Sequence, residues 1–267
     1  MLSDKLKALP PDVSRSFGLG HALRTALREV WDRLGLIVGV SSTWSLAIFV
    51  GYQVGISLHF GAAPALRGAF AILLTTLLVA PATAGVFGVA WASLNHEPQS
   101  YGDFWRYARN IGGPALRLAL LHAAVIGLLT LNLWYYAHVG GTGGIAAALL
   151  SFDALLVWGM MAIYHFPLLI AQESGAMDTA EAPAKRGAFP VLRRAFYLAL
   201  GRPTYSFGLL LTALFLTTVA LPVMVPFLIF WPGALAFLLT SGTRNLLLQY
   251  KVIETDRIDK IAQDKTG

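Results

Sequence analysis

The chain has 267 residues, of which 56% are hydrophobic and 13% charged, and its formal net charge is +6. An average soluble domain is about 25% charged, and a soluble domain of this size has no use for five or six apolar runs that reach the ~20 residues needed to cross hydrocarbon. Cysteine is absent, which excludes disulfides, thiolate metal sites and cysteine nucleophiles.

Residues 1–16 read as a polar N-terminal segment, interrupted by Pro10 and Pro11. Residues 1–33 lack the compact basic, apolar and small-residue pattern of a cleaved signal, so the first span is expected to act as an uncleaved insertion signal. Residues 17–250 form one transmembrane domain in this reading, followed by a tail over 251–267. The first span is expected over about 34–58 and the second over about 68–94, joined by the turn-rich His59–Pro64. The third is expected over about 114–137 and the fourth over about 145–171, joined by the short uncharged Gly140–Gly144. A longer connection begins at Gln172; its first half, to Gly187, is small, polar and expected to be mobile. From Tyr205 to Tyr250 the apolar sequence is too long for one crossing, and Pro222 and Pro226 near its middle restrict helix continuation. A hairpin with spans at about 205–221 and 226–248 is expected there, the alternative being one kinked span with a re-entrant segment.

The basic residues test that count. With six spans, nineteen of the twenty lysines and arginines fall on one side of the membrane, and Arg67 alone falls on the other. Excess Lys and Arg mark cytoplasmic loops, so an even number of spans with both ends inside is expected. The same rule accounts for the net positive charge without nucleic acid as a partner.

Three basic amphipathic segments precede the odd-numbered spans. Leu23, Ala26, Leu27, Val30 and Leu34 share a helical face, as do Tyr101, Phe104, Trp105 and Ala108, and again Leu192, Ala195, Phe196 and Ala199. The spacing is helical in each case, and such segments suit helices lying at the headgroup level of the bilayer. The fold class is therefore all-α: a polytopic membrane helical bundle of about six transmembrane helices with three interfacial amphipathic helices. Three related units of one interfacial helix and two spans are one reading. The other is that any hairpin entered from a basic side acquires an amphipathic lead-in.

Ionisable groups within spans are costly, and that makes them informative. Asp153 lies about nine residues into the fourth span, or ~13 Å from its outer edge by helix rise. Thr130 and Asn132 of the third span lie at comparable or shallower depth. A buried carboxylate there either binds a cation or a proton, or is a structural aspartate hydrogen-bonded to groups such as those two; an inward-facing, hydrogen-bonded Asp153 is expected. His122 and His165 are expected at similar depth on adjacent antiparallel spans. They suit a proton relay or a metal site with a third ligand, or are separate histidines bonded to their neighbours. No carboxylate at helical spacing completes a metal motif, and no Walker loop, Gly-x-Ser-x-Gly elbow or His-Glu-x-x-His occurs. No catalytic residue, cofactor or metal ligand set is assigned, and no enzyme is expected. Trp31, Trp44, Trp91, Trp105, Trp134, Tyr135 and Tyr136 mostly sit near span ends, which reads as an aromatic belt, the alternative being a sugar-stacking platform. The Gly and Ala of Ala80–Gly88 favour close helix packing.

Pro81-Ala-Thr-Ala-Gly85, Tyr101-Gly-Asp-Phe-Trp-Arg-Tyr-Ala-Arg-Asn110, Leu131-Asn-Leu-Trp-Tyr-Tyr136 and Arg202-Pro-Thr204 resemble the YesL-like family of bacterial integral membrane proteins, over about residues 20–250. The resemblance implies a multi-pass protein of the bacterial cytoplasmic membrane, a link to carbohydrate uptake, and no catalytic residue to carry over. The Gln172–Gly187 insert and the extended C-terminus depart from the family pattern. The expected function is an accessory or assembly factor whose partners are the bilayer and other membrane proteins such as a sugar transporter. The alternatives are a small secondary transporter with a polar path near Asp153, and a membrane enzyme using His122 and His165. A polar cavity reaching Asp153 would favour transport, and a packed interior would favour assembly.

Overall fold

The computed structural model describes residues 18–57, 64–177, 186–222 and 224–250. The N-terminal segment 1–16, most of the connection at 59–64, residues 178–185 and the tail 251–267 lie outside the described residues. The described residues form eight helices: α1 (Leu19–Asp32), α2 (Leu34–Ser57), α3 (Pro64–Leu94), α4 (Tyr101–Val139), α5 (Gly141–Glu173), α6 (Ala188–Gly201), α7 (Pro203–Ala220) and α8 (Met224–Gln249). Helix is the form that satisfies backbone groups within one segment, as hydrocarbon demands. Five of these helices, α2, α3, α4, α5 and α7, are long and apolar enough to cross a membrane.

The sixth expected span coincides with α8, the most polar of the long helices toward its end, where Thr240-Ser-Gly-Thr-Arg-Asn245 interrupts the apolar run. It tolerates that sequence because it is central: α8 packs on α1, α2, α3, α5 and α7, and residues 236–243 are buried without exception. The segment after Tyr205 is a hairpin rather than one kinked span. α7 ends at Ala220, α8 starts at Met224, and the Tyr205 hydroxyl donates to the Gly242 carbonyl at 3.2 Å across the antiparallel pair.

Two of the three amphipathic segments are separate helices. α1 stops at Arg33, and α6 stops at Arg202, where Pro203 opens α7 in a position that needs no backbone donor. The middle one is not separate: residues 101–110 run unbroken into the third span as the 39-residue α4. Gly112 there packs against the Pro81 ring of α3, and Pro114 sits inside the helix. Tertiary contact holds together a stretch whose Gly-Gly-Pro sequence reads locally as a break. At the start of α4, the Ser100 N–H donates to Asp103 Oδ2 at 2.7 Å, which caps the helix and holds that carboxyl below its ordinary range.

The core lies at one end of the bundle. Phe104, Leu118, Tyr164, Leu168, Leu209, Phe237 and Leu246 are buried there, together with α1, the start of α4, and the ends of α3, α5 and α8. This is the basic end, to which the described arginines other than Arg67 belong. Close helix approach rests on glycine. A Cβ on Gly85 would stand 2.6 Å from the Phe104 ring, and one on Gly233 would stand 2.7 Å from Ile37 Cγ2 and Ser41 Oγ. Toward the other end the bundle opens. Between Leu118 and Met160, only Gly144 is buried, so the outer half of the α4–α5 hairpin has no close neighbour except within itself.

Candidate functional site

Asp153 stands on that open stretch. It precedes Met160 by seven residues and Tyr164 by eleven, which puts all three on one helical stripe of α5. Met160 and Tyr164 are buried, but Asp153 is exposed. Its expected inward-facing, hydrogen-bonded setting is therefore overturned. Thr130 is exposed and Asn132 half-buried, and neither bonds to it among the described residues. The helical face is the one that enters the core; the packing ends before it reaches the height of Asp153. The residues beside it, Leu149, Leu150 and Phe152, are also exposed, so the carboxylate lies in an apolar surrounding rather than a polar cavity.

His122 and His165 do come together. Their ring centroids are 5.7 Å apart, edge to face. Trp158, one helix over from His122, joins them: its Nε1–H donates to His122 Nδ1 at 3.2 Å, and its ring lies 5.3 Å from that of His165. The bond fixes the tautomer of a neutral His122, leaving its proton on Nε2. His122 is half-buried; His165 is 1% exposed, and neither of its ring nitrogens has a partner among the described residues. No third His, Cys, Asp or Glu completes a metal-ligand group among the described residues. An unpaired buried polar group costs about 1–3 kcal/mol, so His165→Phe, which keeps an aromatic ring and removes both nitrogens, is expected to raise the thermal midpoint of the purified protein. A lowered midpoint would mean that the nitrogens are satisfied by a bound group.

A polar node at the basic end carries more contacts, and the sequence reading missed it. Arg244 of α8 donates from Nε to Asn95 Oδ1, just past α3, at 3.0 Å. Glu29 of α1 acts electrostatically on Arg244 and pairs with Arg33 at 3.4 Å. Nearby, Ser241 Oγ donates to the Ala22 carbonyl at 3.0 Å. Three helices are thus tied at one point by side chains that look, in the sequence, like ordinary flanking charges. The available signal was the polar run Thr240–Asn245 inside an otherwise apolar span.

A helical bundle with apolar outward faces, a sealed core at its basic end and spans of membrane length defines a multi-pass α-helical membrane protein. Comparison with protein-family models, with curated proteins and with solved structures finds no match to the chain.

Proposed function

We propose that the protein is an accessory or assembly factor of a membrane transport system, acting through helix contacts on its outward faces. The observation that carries this is the setting of Asp153: the one carboxylate in the outer half of the described spans lies on an open apolar hairpin, beyond a packed core. A substrate path needs polar groups converging on a cavity. A helix-binding surface needs exposed apolar area with a polar group to select the partner. The resemblance to the YesL-like family supports carbohydrate uptake as the system and the bacterial cytoplasmic membrane as the location. A deletion strain tests the reading. Loss of the chain is expected to lower both sugar uptake and the membrane level of the transporter, while the purified chain alone in liposomes moves no sugar. Asp153→Asn, which keeps shape and most hydrogen bonding, is expected to restore both. Sugar flux through the chain alone, abolished by Asp153→Asn, would replace this reading with a transporter.

The orientation proposed with it puts the N- and C-terminal segments in the cytoplasm, supported by the nineteen-to-one division of basic residues. A reporter fused after Lys260 is expected to read cytoplasmic, and one inserted within Gly140–Gly144 external. The reverse pattern would overturn the orientation.

A further inference from the structure

Helix α1 has two apolar faces. Ala22, Ala26 and Val30 are buried against the bundle. Leu23, Leu27 and Trp31 make a second stripe, at i, i+4 and i+8, that faces away from it; Leu27 is 65% and Trp31 74% exposed. Arg24 and Arg28, one turn apart, run beside this stripe. Arg24, Leu27, Arg28, Trp31 and Asp32 line a shallow open groove. Arg28 Nε lies 3.8 Å from Asp32 Oδ2, so that pair is partly compensated. Arg24 has no hydrogen-bond or ion-pair partner among the described residues. The groove thus holds one uncompensated positive charge beside an apolar floor that ends in an indole.

In the other amphipathic segments, three arginines meet side chains of the bundle itself. Arg106 bonds Asp103 at 2.9 Å and lies over the Tyr107 ring at 5.4 Å. Arg193 lies over the Tyr197 ring at 5.7 Å, and Arg194 donates to Gln172 Oε1 at 3.0 Å.

We propose that α1 carries a binding site for one anionic phospholipid, with the phosphodiester between Arg24 and Arg28 and an acyl chain along Leu23, Leu27 and Trp31. Guanidinium groups hold phosphate by paired charge-assisted hydrogen bonds. Interfacial helices bind through buried apolar area together with attraction to anionic headgroups, and tryptophan favours the headgroup level. A zwitterionic lipid offers the same phosphodiester but brings an ammonium that cancels the attraction, so the site selects net negative charge. The site stands apart from the assembly reading and does not depend on it.

The test uses the full-length protein in mixed micelles of equal phosphatidylglycerol and phosphatidylcholine, with retained lipid counted by native mass spectrometry. The native protein is expected to retain phosphatidylglycerol preferentially. Arg24→Gln with Arg28→Gln is expected to lower that retention about tenfold or more, from the contribution of each cation near a charged surface. Arg24→Lys with Arg28→Lys keeps the charge and is expected to retain most of it; Arg193→Gln is expected to leave it unchanged. Leu27→Ser alters no charge and is expected to weaken retention through the acyl limb. Displacement by millimolar inorganic phosphate would make this a free-phosphate site and overturn the lipid. Equal retention of the two lipids by the native protein, or unchanged retention in the glutamine pair, would also overturn it.

Discussion

Replacing Gly51 and Gly55 together with leucine is expected to remove folded protein from the membrane. These two glycines lie one turn apart on α2, where it crosses α3. A Cβ on Gly51 would stand 2.7 Å from Thr75 Cα and 3.1 Å from Thr75 Oγ1, and one on Gly55 would overlap the Ala71 backbone. Side chains can rotate away from an added methyl group, but backbone cannot, so the two helices must separate. Overpacking a well-filled contact costs about 1–3 kcal/mol per site, and a contact against backbone belongs at the upper end. Separation also forfeits close backbone packing, which drives helix association where lipid is as apolar as leucine. Two such sites on one crossing remove a large part of the roughly 5–15 kcal/mol that typifies a folded protein. Membrane abundance and a monodisperse chromatographic peak are the readouts. Gly127→Leu is the control, since nothing lies within 4 Å of a Cβ there, and it is expected to behave as the native chain. A double variant that accumulates and melts normally would show that the α2–α3 crossing does not hold the bundle together.

The all-helical class and the rough place of most helices were legible because length and apolarity are local properties. α2 and α5 fall within a few residues of their expected bounds, and the hairpin at 221–224 was marked by its prolines. The common depth of His122 and His165 was legible too, because depth in antiparallel neighbours follows from counting residues to the same membrane surface. What escaped depends on which spans meet. Nothing local in α5 says that packing reaches Met160 and stops before Asp153, although the common stripe is plain from the spacing. Nothing local in Gly112-Gly-Pro114 says that the Pro81 ring lies against it and keeps α4 continuous. The central place of α8 is likewise a property of the assembled bundle, and nothing local in Thr240–Asn245 marks that run as an interior.

Arg244→Ala is the sharpest test of that interior. Arg244 ties α8 to Asn95 beyond α3 at 3.0 Å, with Glu29 of α1 close enough to act on it. Removing it leaves the Asn95 carbonyl oxygen without this donor and leaves Glu29 with Arg33 alone. Truncating one member of a largely buried charged hydrogen-bonded group costs about 2–5 kcal/mol, much of it from the partners left behind. Asn95→Ala removes only the neutral end, and a hydrogen bond to a charged group contributes about 1.5–3 kcal/mol, so its effect is expected to be smaller. If the two residues act as one tie, the double variant is expected to lose less than the two single losses combined, by roughly 0.5–3 kcal/mol. Thermal midpoints of the four purified proteins measure this. Independent losses would mean that Arg244 holds the bundle through Glu29 rather than Asn95, and Glu29→Gln would then produce the coupling that Asn95→Ala did not. A midpoint unchanged by Arg244→Ala would mean that the node is not a structural tie at all, and that its charge at the basic end is free to serve a partner.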